Sequence, residues 1–445
     1  MRVDKLLRSL EGIRDRECLI AGGAAVRYSD LERRRQEWLE VFEKEGIEPG
    51  AVVGLKADYS PAAVSLLLAL LSRHCIASLL PLTAKKGDPY LEDGQIEGLF
   101  HLDSTGSWTW DALDTTVDHP LLTQLRDLGE AGFTIFSSGS TGRPKAVLHS
   151  AERFLAKFDR QGKPFRTLAF LLFDHIAGID TLFYTLSAHG SLVLTERRDP
   201  LSICRLIEDH RVEVLPVSPA FLNLLCLSGD HREFDLTSLK IITYGSEPMS
   251  QGTLDALCEI FPNVKIMQKY GTSEFGSPRA LSRANDSLWL KLKGDELDVR
   301  VIDGILWVKT DTAMLGYLNA ASPFDEEGWF CTGDLVERDG DWVHILGRES
   351  DIIIVGGEKV YPREVEDAIL GLPFVEEVAV KGEPHPMLGQ IVTARVTLLE
   401  PLEEKVVRTE VRKHCRSHLT PYKVPAKVEI TTRPLTTGRQ KKVRQ

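Results

Sequence analysis

The chain has 445 residues, of which 43% are hydrophobic and 27% charged, and its formal net charge is −11. That length accommodates two or three domains with a large buried core, and the acidic balance argues against nucleic acid or an anionic membrane surface as a partner. The seven cysteines, Cys18, Cys75, Cys204, Cys226, Cys258, Cys331 and Cys415, are scattered and odd in number. Without paired metal-ligand spacing they read as reduced thiols of a cytoplasmic protein.

Residues 1–10 carry Arg2, Asp4, Lys5 and Arg8 and no apolar stretch, so no secretory signal is expected there. Ser29 and Asp30 are placed to cap an amphipathic helix bearing Leu31, Trp38, Leu39 and Phe42, and residues 51–55 read as a strand. The apolar run 62–71 stops at Ser72, Arg73 and His74. A run of about ten residues is too short to span a bilayer, which predicts a buried helix and no membrane span.

Alternation resumes with a strand at 168–172, a helix at 201–209, a strand at 212–217, a helix at 219–227 and a strand at 239–243. This is the pattern of parallel sheets covered by helices. From about 297 it changes to short strands at 299–302, 305–309 and 341–346, separated by Asp303-Gly304 and Asp339-Gly340, as in a small β-rich unit. Beyond the charged stretch 348–351, a helix at 364–370 and strands at 376–380 and 391–398 predict a small α+β domain. The expected fold is therefore α/β. A large N-terminal domain of helix-covered sheets with a β-rich unit fills 1–348, and a smaller α+β C-terminal domain fills 349–445.

The β-prone run Phe133-Thr134-Ile135-Phe136 leads directly into Ser137-Ser138-Gly139-Ser140-Thr141-Gly142-Arg143-Pro144-Lys145. Glycines let backbone N–H groups approach an anion, hydroxyls add donors, and a lysine supplies charge. A Ser/Gly pair alone is an ordinary turn. A Walker A loop is excluded, because Gly142 is followed by Arg143-Pro144-Lys145 and not by Lys-Ser/Thr.

The nine-residue loop resembles the phosphate-binding loop of the adenylate-forming superfamily, which includes acyl-CoA synthetases, peptide-synthetase adenylation domains and luciferase-type enzymes. Further segments match in the family's order. Tyr244-Gly245-Ser246-Glu247-Pro248 resembles the segment beside the adenine, and Tyr270-Gly271-Thr272-Ser273-Glu274 the motif that follows it. Gly328-Trp329-Phe330-Cys331-Thr332-Gly333-Asp334-Leu335 resembles the ribose motif, and Gly347-Arg348 through Pro362-Arg363-Glu364-Val365-Glu366 the interdomain segment. Gly356-Gly357-Glu358-Lys359-Val360-Tyr361-Pro362 is nearest in pattern to acyl-CoA synthetases.

The resemblance implies a ligase that joins a small carboxylic acid to AMP from ATP, then passes the acyl group to a thiol. That thiol is CoA or, alternatively, the phosphopantetheine of an acyl carrier protein. Amino-acid activation and a non-catalytic nucleotide-binding relative are the other readings. By resemblance Ser137, Ser138, Gly139, Ser140, Thr141, Gly142 and Lys145 hold the ATP phosphates, with Tyr244, Gly245, Ser246, Glu247, Tyr270, Gly271 and Thr272 along the nucleotide. Ser273 touches the α-phosphate, Glu274 holds Mg²⁺ through hard oxygen ligands, and Asp334 takes the ribose hydroxyls with help from Arg348.

The segment Phe173-Asp174-His175-Ile176-Ala177-Gly178 resembles the acid pocket, which Tyr244 also lines. His175 suits acyl-CoA synthetases, whereas Asp174 matches the carboxylate that amino-acid-activating members use. A helix N-cap at Asp174 is the structural alternative. In the family the small domain is mobile and rotates after adenylation, with Ser350 at the hinge position. The tail departs from the family pattern, because Arg439 follows Gly438 where the catalytic lysine is expected. Lys441 is assigned that role here, with Arg439 and Lys442 as neighbours to be tested.

Overall fold

The computed structural model describes residues 1–85, 87–137, 143–294, 297–433 and 435. Ser138, Gly139, Ser140, Thr141 and Gly142 of the phosphate loop, and Arg439, Lys441 and Lys442 of the tail, lie outside the described residues.

Two seven-stranded sheets form the large domain. One runs in the order Lys265–Gln268, Ile241–Tyr244, Val214–Val217, Arg166–Ala169, Ser191–Leu194, Glu17–Ala21 and Ala24–Arg27. It is parallel except for the hairpin at its edge. The other has the order Gly316–Tyr317, Lys145–Ser150, Gly132–Ser137, Ile76–Leu80, Val52–Lys56, Gly98–Leu102 and Trp108–Ala112, with a parallel centre and antiparallel edges. Central strands of this kind are buried on both faces, which explains why they read as continuous apolar runs.

The apolar run becomes the helix Pro61–Ser72, started by Ser60, whose side chain accepts from the Ala63 N–H, and buried from Ala62 to Leu71. Among the described residues no helix is long and apolar enough to cross a membrane. The front helix begins earlier than the Ser29-Asp30 cap predicts. It spans Tyr28–Glu45 with Arg27 as N-cap, and Asp30 sits in the first turn accepting from the Arg27 N–H at 3.1 Å. Tyr28 decides this: its ring is buried and its hydroxyl donates to the Gly190 carbonyl at 2.7 Å, which pulls the helix start into the core.

A third, antiparallel sheet of six strands, Arg279–Ser282, Trp289–Lys293, Trp342–Arg348, Phe330–Asp339, Ile305–Thr310 and Leu297–Ile302, forms the β-rich unit. The smaller C-terminal domain has its own sheet, in the order Glu358–Val360, Ile353–Val355, Gly389–Leu398 and Val375–His385, with Lys427–Ile430 added on Gly389–Leu398. Helices Pro362–Leu370 and Glu404–His418 cover it, and its apolar core runs from Ile353 to Val428.

Candidate active site

Three loops leave the carboxyl ends of parallel strands, the position at which open α/β sheets bind ligands: one follows Gly132–Ser137 in one seven-stranded sheet, and two follow the neighbouring strands Ile241–Tyr244 and Lys265–Gln268 of the other. Ser137 ends Gly132–Ser137 and pairs in register with Lys145, the first residue of the returning antiparallel strand, so both ends of the Ser/Gly segment are fixed. Asn319 and Asp93 secure its far end. Asn319 accepts from the Ala146 N–H at 2.9 Å and donates to the Pro144 carbonyl and to Asp93, each at 2.8 Å. Arg143 donates through Nε to Asp93 at 2.9 Å.

Tyr244 ends the strand Ile241–Tyr244 with its ring buried and its hydroxyl without a hydrogen-bond partner among the described residues. Burial raises its pKa, so it remains protonated. Gly245 leaves no room for a side chain, since a Cβ there would lie 2.8 Å from the Lys269 carbonyl oxygen. Ser246 follows in the left-handed region at φ 70° and is exposed, with Glu247 half-buried beside it.

The third loop, after Lys265–Gln268, closes on itself: Thr272 and Gly276 exchange backbone hydrogen bonds of 3.1 and 2.9 Å. Gly271 is required by this closure, because a Cβ would sit 2.2 Å from the Gly276 carbonyl oxygen. Within the loop Thr272 Oγ1 accepts from the Glu274 N–H at 3.2 Å, and the Ser273 carbonyl meets His149.

The centre of the arrangement is Tyr317. Its hydroxyl donates to Glu274 Oε1 at 2.7 Å, while Lys145 Nζ stands 4.6 Å from the centroid of its ring. One aromatic side chain thus holds the cation at the end of the phosphate loop and the carboxylate of the neighbouring loop in a single assembly. Burial and the Glu274 charge raise the Tyr317 pKa, so it acts as a donor.

Asp334 lies on Phe330–Asp339, nine-tenths or more buried. Its Oδ2 accepts from the Tyr270 hydroxyl at 2.6 Å and its Oδ1 pairs with Arg348 Nε at 2.8 Å. Arg348 also donates to the Thr332 carbonyl at 2.6 Å, and Thr332 Oγ1 accepts from the Asp334 N–H at 3.0 Å. Burial raises the Asp334 pKa, opposed by Arg348 and by the Tyr270 hydrogen bond. Tyr270, buried against that carboxylate, has its own pKa raised and stays a donor.

In the acid-pocket segment the N-cap of the helix Ile176–Ser187 is His175 and not Asp174. His175 Nδ1 accepts from the Ala177 N–H at 3.3 Å, which leaves the ring proton on Nε2. Asp174 is buried, and Phe173 packs edge-on against Tyr59 with ring centroids 5.0 Å apart. Gly178 is needed for packing: a Cβ would lie 1.9 Å from the Leu172 carbonyl oxygen. Its carbonyl accepts from the Tyr59 hydroxyl at 2.7 Å.

Residues 7–318 match the family described as AMP-binding enzyme, and residues 364–441 match the AMP-binding enzyme C-terminal domain. The chain belongs to the AMP-binding enzyme family. A long-chain-fatty-acid–CoA ligase of Mycobacterium tuberculosis is 29% identical over 323 residues, 66% of this chain and 63% of the relative. The chain thus matches under two thirds of that enzyme's length. A feruloyl-CoA synthase of Amycolatopsis sp. is 27% identical over 458 residues, covering 94% of this chain and 92% of the relative. The crystal structure of an anthranilate CoA ligase in complex with anthranoyl-AMP has the same fold, with a TM-score of 0.83 at 20% identity over 100% of this chain and 95% of that one.

Four further side chains of this AMP-binding family member, Tyr317, His149, Asn319 and Asp93, contact the site residues and lie outside the sequence motifs. His149 could have been suspected from its place inside the apolar strand Lys145–Ser150. Its ring stacks on Phe133 at 5.0 Å and its Nε2 lies 2.8 Å from the Ser273 carbonyl oxygen, so Nε2–H is the donor and the imidazole is neutral. Burial pushes its pKa down to about 4 from 6.5. Because the fold disfavours the protonated form, the unfolded chain takes up the proton first, and stability falls as pH drops from 6.5 to about 4.

The expected loss over that window is about 3 kcal/mol. In His149→Phe it should vanish from the acid limb of urea unfolding curves. At neutral pH the variant should be less stable by about 1–3 kcal/mol, because the Ser273 carbonyl loses its donor. Equal acid limbs in the two proteins would refute the buried neutral imidazole.

Proposed function

We propose that this enzyme activates a small carboxylic acid with ATP as acyl-AMP, releasing pyrophosphate, and then transfers the acyl group to the thiol of CoA. The observation that carries this is the assembly of Lys145, Tyr317 and Glu274 beside the Asp334, Arg348 and Tyr270 set. Attack of a carboxylate oxygen on the α-phosphorus forms the mixed anhydride and breaks the bond to pyrophosphate, which leaves with the electron pair. Two anions must meet and the leaving group gains charge, so fixed positive charge and donors aimed at the phosphates supply most of the rate.

In this reading Lys145, Ser137 and the loop residues Ser138 to Gly142 hold the phosphates, and Ser273 contacts the α-phosphate. Asp334 accepts from both ribose hydroxyls while Arg348 and Tyr270 fix its plane. Tyr244 to Glu247 flank the adenine, and His175 lines the acid pocket. Among the described residues no three His, Cys, Asp or Glu side chains gather as a metal cluster. A single carboxylate at Glu274 fits an octahedral ion that keeps waters and phosphate oxygens as its other ligands. Mg²⁺ bound there would neutralise charge on the phosphates.

The small domain, taken as residues 349–445, would turn about Ser350 between the two half-reactions. Ser350 lies in the short turn Glu349–Asp351, and its hydroxyl donates to Asp351 at 3.2 Å. The tail assignment gains support from Leu435, which is buried and whose N–H donates to Glu377 at 2.8 Å, in a cavity also lined by Glu247 and Met249 of the large domain. Lys441 is six residues further along, a reach of up to about 20 Å. The family match to the C-terminal domain extends to residue 441.

Pyrophosphate release measured over a panel of fatty, aryl and amino acids, with and without CoA, tests the proposal. It predicts release with at least one acid together with CoA-dependent thioester and AMP. Thioester forming only on a carrier protein would overturn the CoA acceptor, and preference for an amino acid would give Asp174 the substrate's amine. ATP binding without release for any acid would overturn the catalytic reading.

A further inference from the structure

The helix Pro362–Leu370 belongs to the small domain, yet its second residue, Arg363, is 8% exposed. A buried guanidinium has to satisfy five N–H donors, and what it finds here is informative. Nη1 donates to the carbonyl of Ile345 in the six-stranded sheet, and Nη2 donates to the carbonyl of Met249 in the large domain. Asp367, one turn along the same helix, supplies a carboxylate 3.5 Å from Nε. The countercharge therefore comes from Arg363's own domain, and the fork of the guanidinium is spent on main-chain acceptors across the interface.

Met249 lies two residues after Glu247, the last of the residues that the proposed function sets beside the adenine. The positive charge of Arg363 is felt at the buried Tyr244 hydroxyl, where it opposes the upward push of burial. Around this contact the interface is loosely filled. A cavity of about 160 Å³ lies between Phe221, Leu224 and Met249 on one side and Leu370 and Val378 on the other. Asn223 adds a 3.3 Å hydrogen bond to the Glu376 carbonyl. A polar, underpacked interface of this kind separates readily, so a buried two-acceptor contact has large leverage on the domain arrangement.

We propose that Arg363 is a positioning residue for adenylation, a latch that holds the small domain against the adenine-side segment and must release both carbonyls before the domain can turn toward thiol transfer. This rests on the proposed two-step function. Alanine at 363 removes the latch. Lysine keeps the charge but lacks the planar fork, so it can serve only one carbonyl well.

Hydrogen exchange of the full chain with ATP and Mg²⁺ tests the contact without knowledge of the acid. In Arg363→Ala, peptides covering 247–253 and 342–351 should exchange at least about tenfold faster, since the opening they report on becomes more frequent. The strands Val375–His385 and Gly389–Leu398 should stay protected. With an acid chosen by the pyrophosphate screen, release should fall about tenfold or more, while CoA-dependent consumption of preformed acyl-AMP stays within about twofold of the parent, because only the first arrangement needs the latch. Arg363→Lys should lie between the two.

Unchanged exchange at 247–253 would overturn the latch. So would faster exchange throughout the small domain, which would make Arg363 a folding residue, or an equal loss in both half-reactions. A parent enzyme that releases no pyrophosphate with any acid would instead overturn the function, and the exchange comparison would still judge the latch.

Discussion

Replacing Glu274 by glutamine is expected to lower pyrophosphate release about 1000-fold while leaving ATP affinity within about fivefold, the pattern for a group that acts mainly on the charge developing in the transition state. Glutamine keeps the shape and still accepts from Tyr317, so what is lost is the anionic oxygen ligand. Tyr317→Phe should be milder, about tenfold, because the ring remains under Lys145 and only the 2.7 Å donor to Glu274 disappears. Steady-state pyrophosphate release at saturating acid, titrated with Mg²⁺, distinguishes the two variants. Tyr317→Phe should regain rate at high metal and Glu274→Gln should not. A Glu274→Gln enzyme of near-parental rate would remove Glu274 from the site.

Asp334→Asn should act on binding, raising the KM for ATP about 100-fold as two charge-assisted hydrogen bonds to the ribose are lost, with a smaller change in kcat. The pH dependence carries a sign. Burial holds the Asp334 pKa above the usual carboxylate value, so the charged acceptor forms late and ATP affinity should rise with pH through that raised pKa. The asparagine variant should lack this dependence. Calorimetric titration of AMP across the acid range checks it. A KM within threefold of the parent would mean that the carboxylate serves the fold and not the nucleotide.

Most of the fold was legible because its signals are local. The alternation of strands and helices read between 168 and 243 needs no distant information, although the helix Ile176–Ser187 and strand Ser191–Leu194 within it, and the helix Gln251–Ile260 and strand Lys265–Gln268 beyond it, went unread. Asp303-Gly304 marks a hairpin by turn chemistry alone, with Asp303 adopting φ 51°. Element ends were less legible where tertiary contacts set them. The front helix begins at Tyr28 because Gly190, 162 residues away, takes the Tyr28 hydroxyl. The strand at 166 ends at Ala169, and the Phe170 carbonyl beyond it is claimed by Arg198.

The candidate site divides in the same way. Glu274, Asp334 and Lys145 sit in contiguous motifs that can be read along the chain. The residues that aim them are remote in sequence. Tyr317 reaches Glu274 across 43 positions, His149 reaches Ser273 across 124, and Asn319 reaches Asp93 across 226. A tyrosine or histidine in an apolar strand carries no mark of its partner, so these roles emerge only from the fold. Arg363 is the extreme case, since the interdomain motif that contains it gives no sign that its side chain is buried at the seam between the domains.

Isotope transfer reports on the adenylation step itself. With an acid found by the pyrophosphate screen and labelled with ¹⁸O in its carboxylate, one turnover should leave one ¹⁸O in AMP, because the carboxylate oxygen itself bonds to the α-phosphorus. AMP free of label, or products of ADP and phosphate in place of AMP and pyrophosphate, would contradict acyl-adenylate formation at this site.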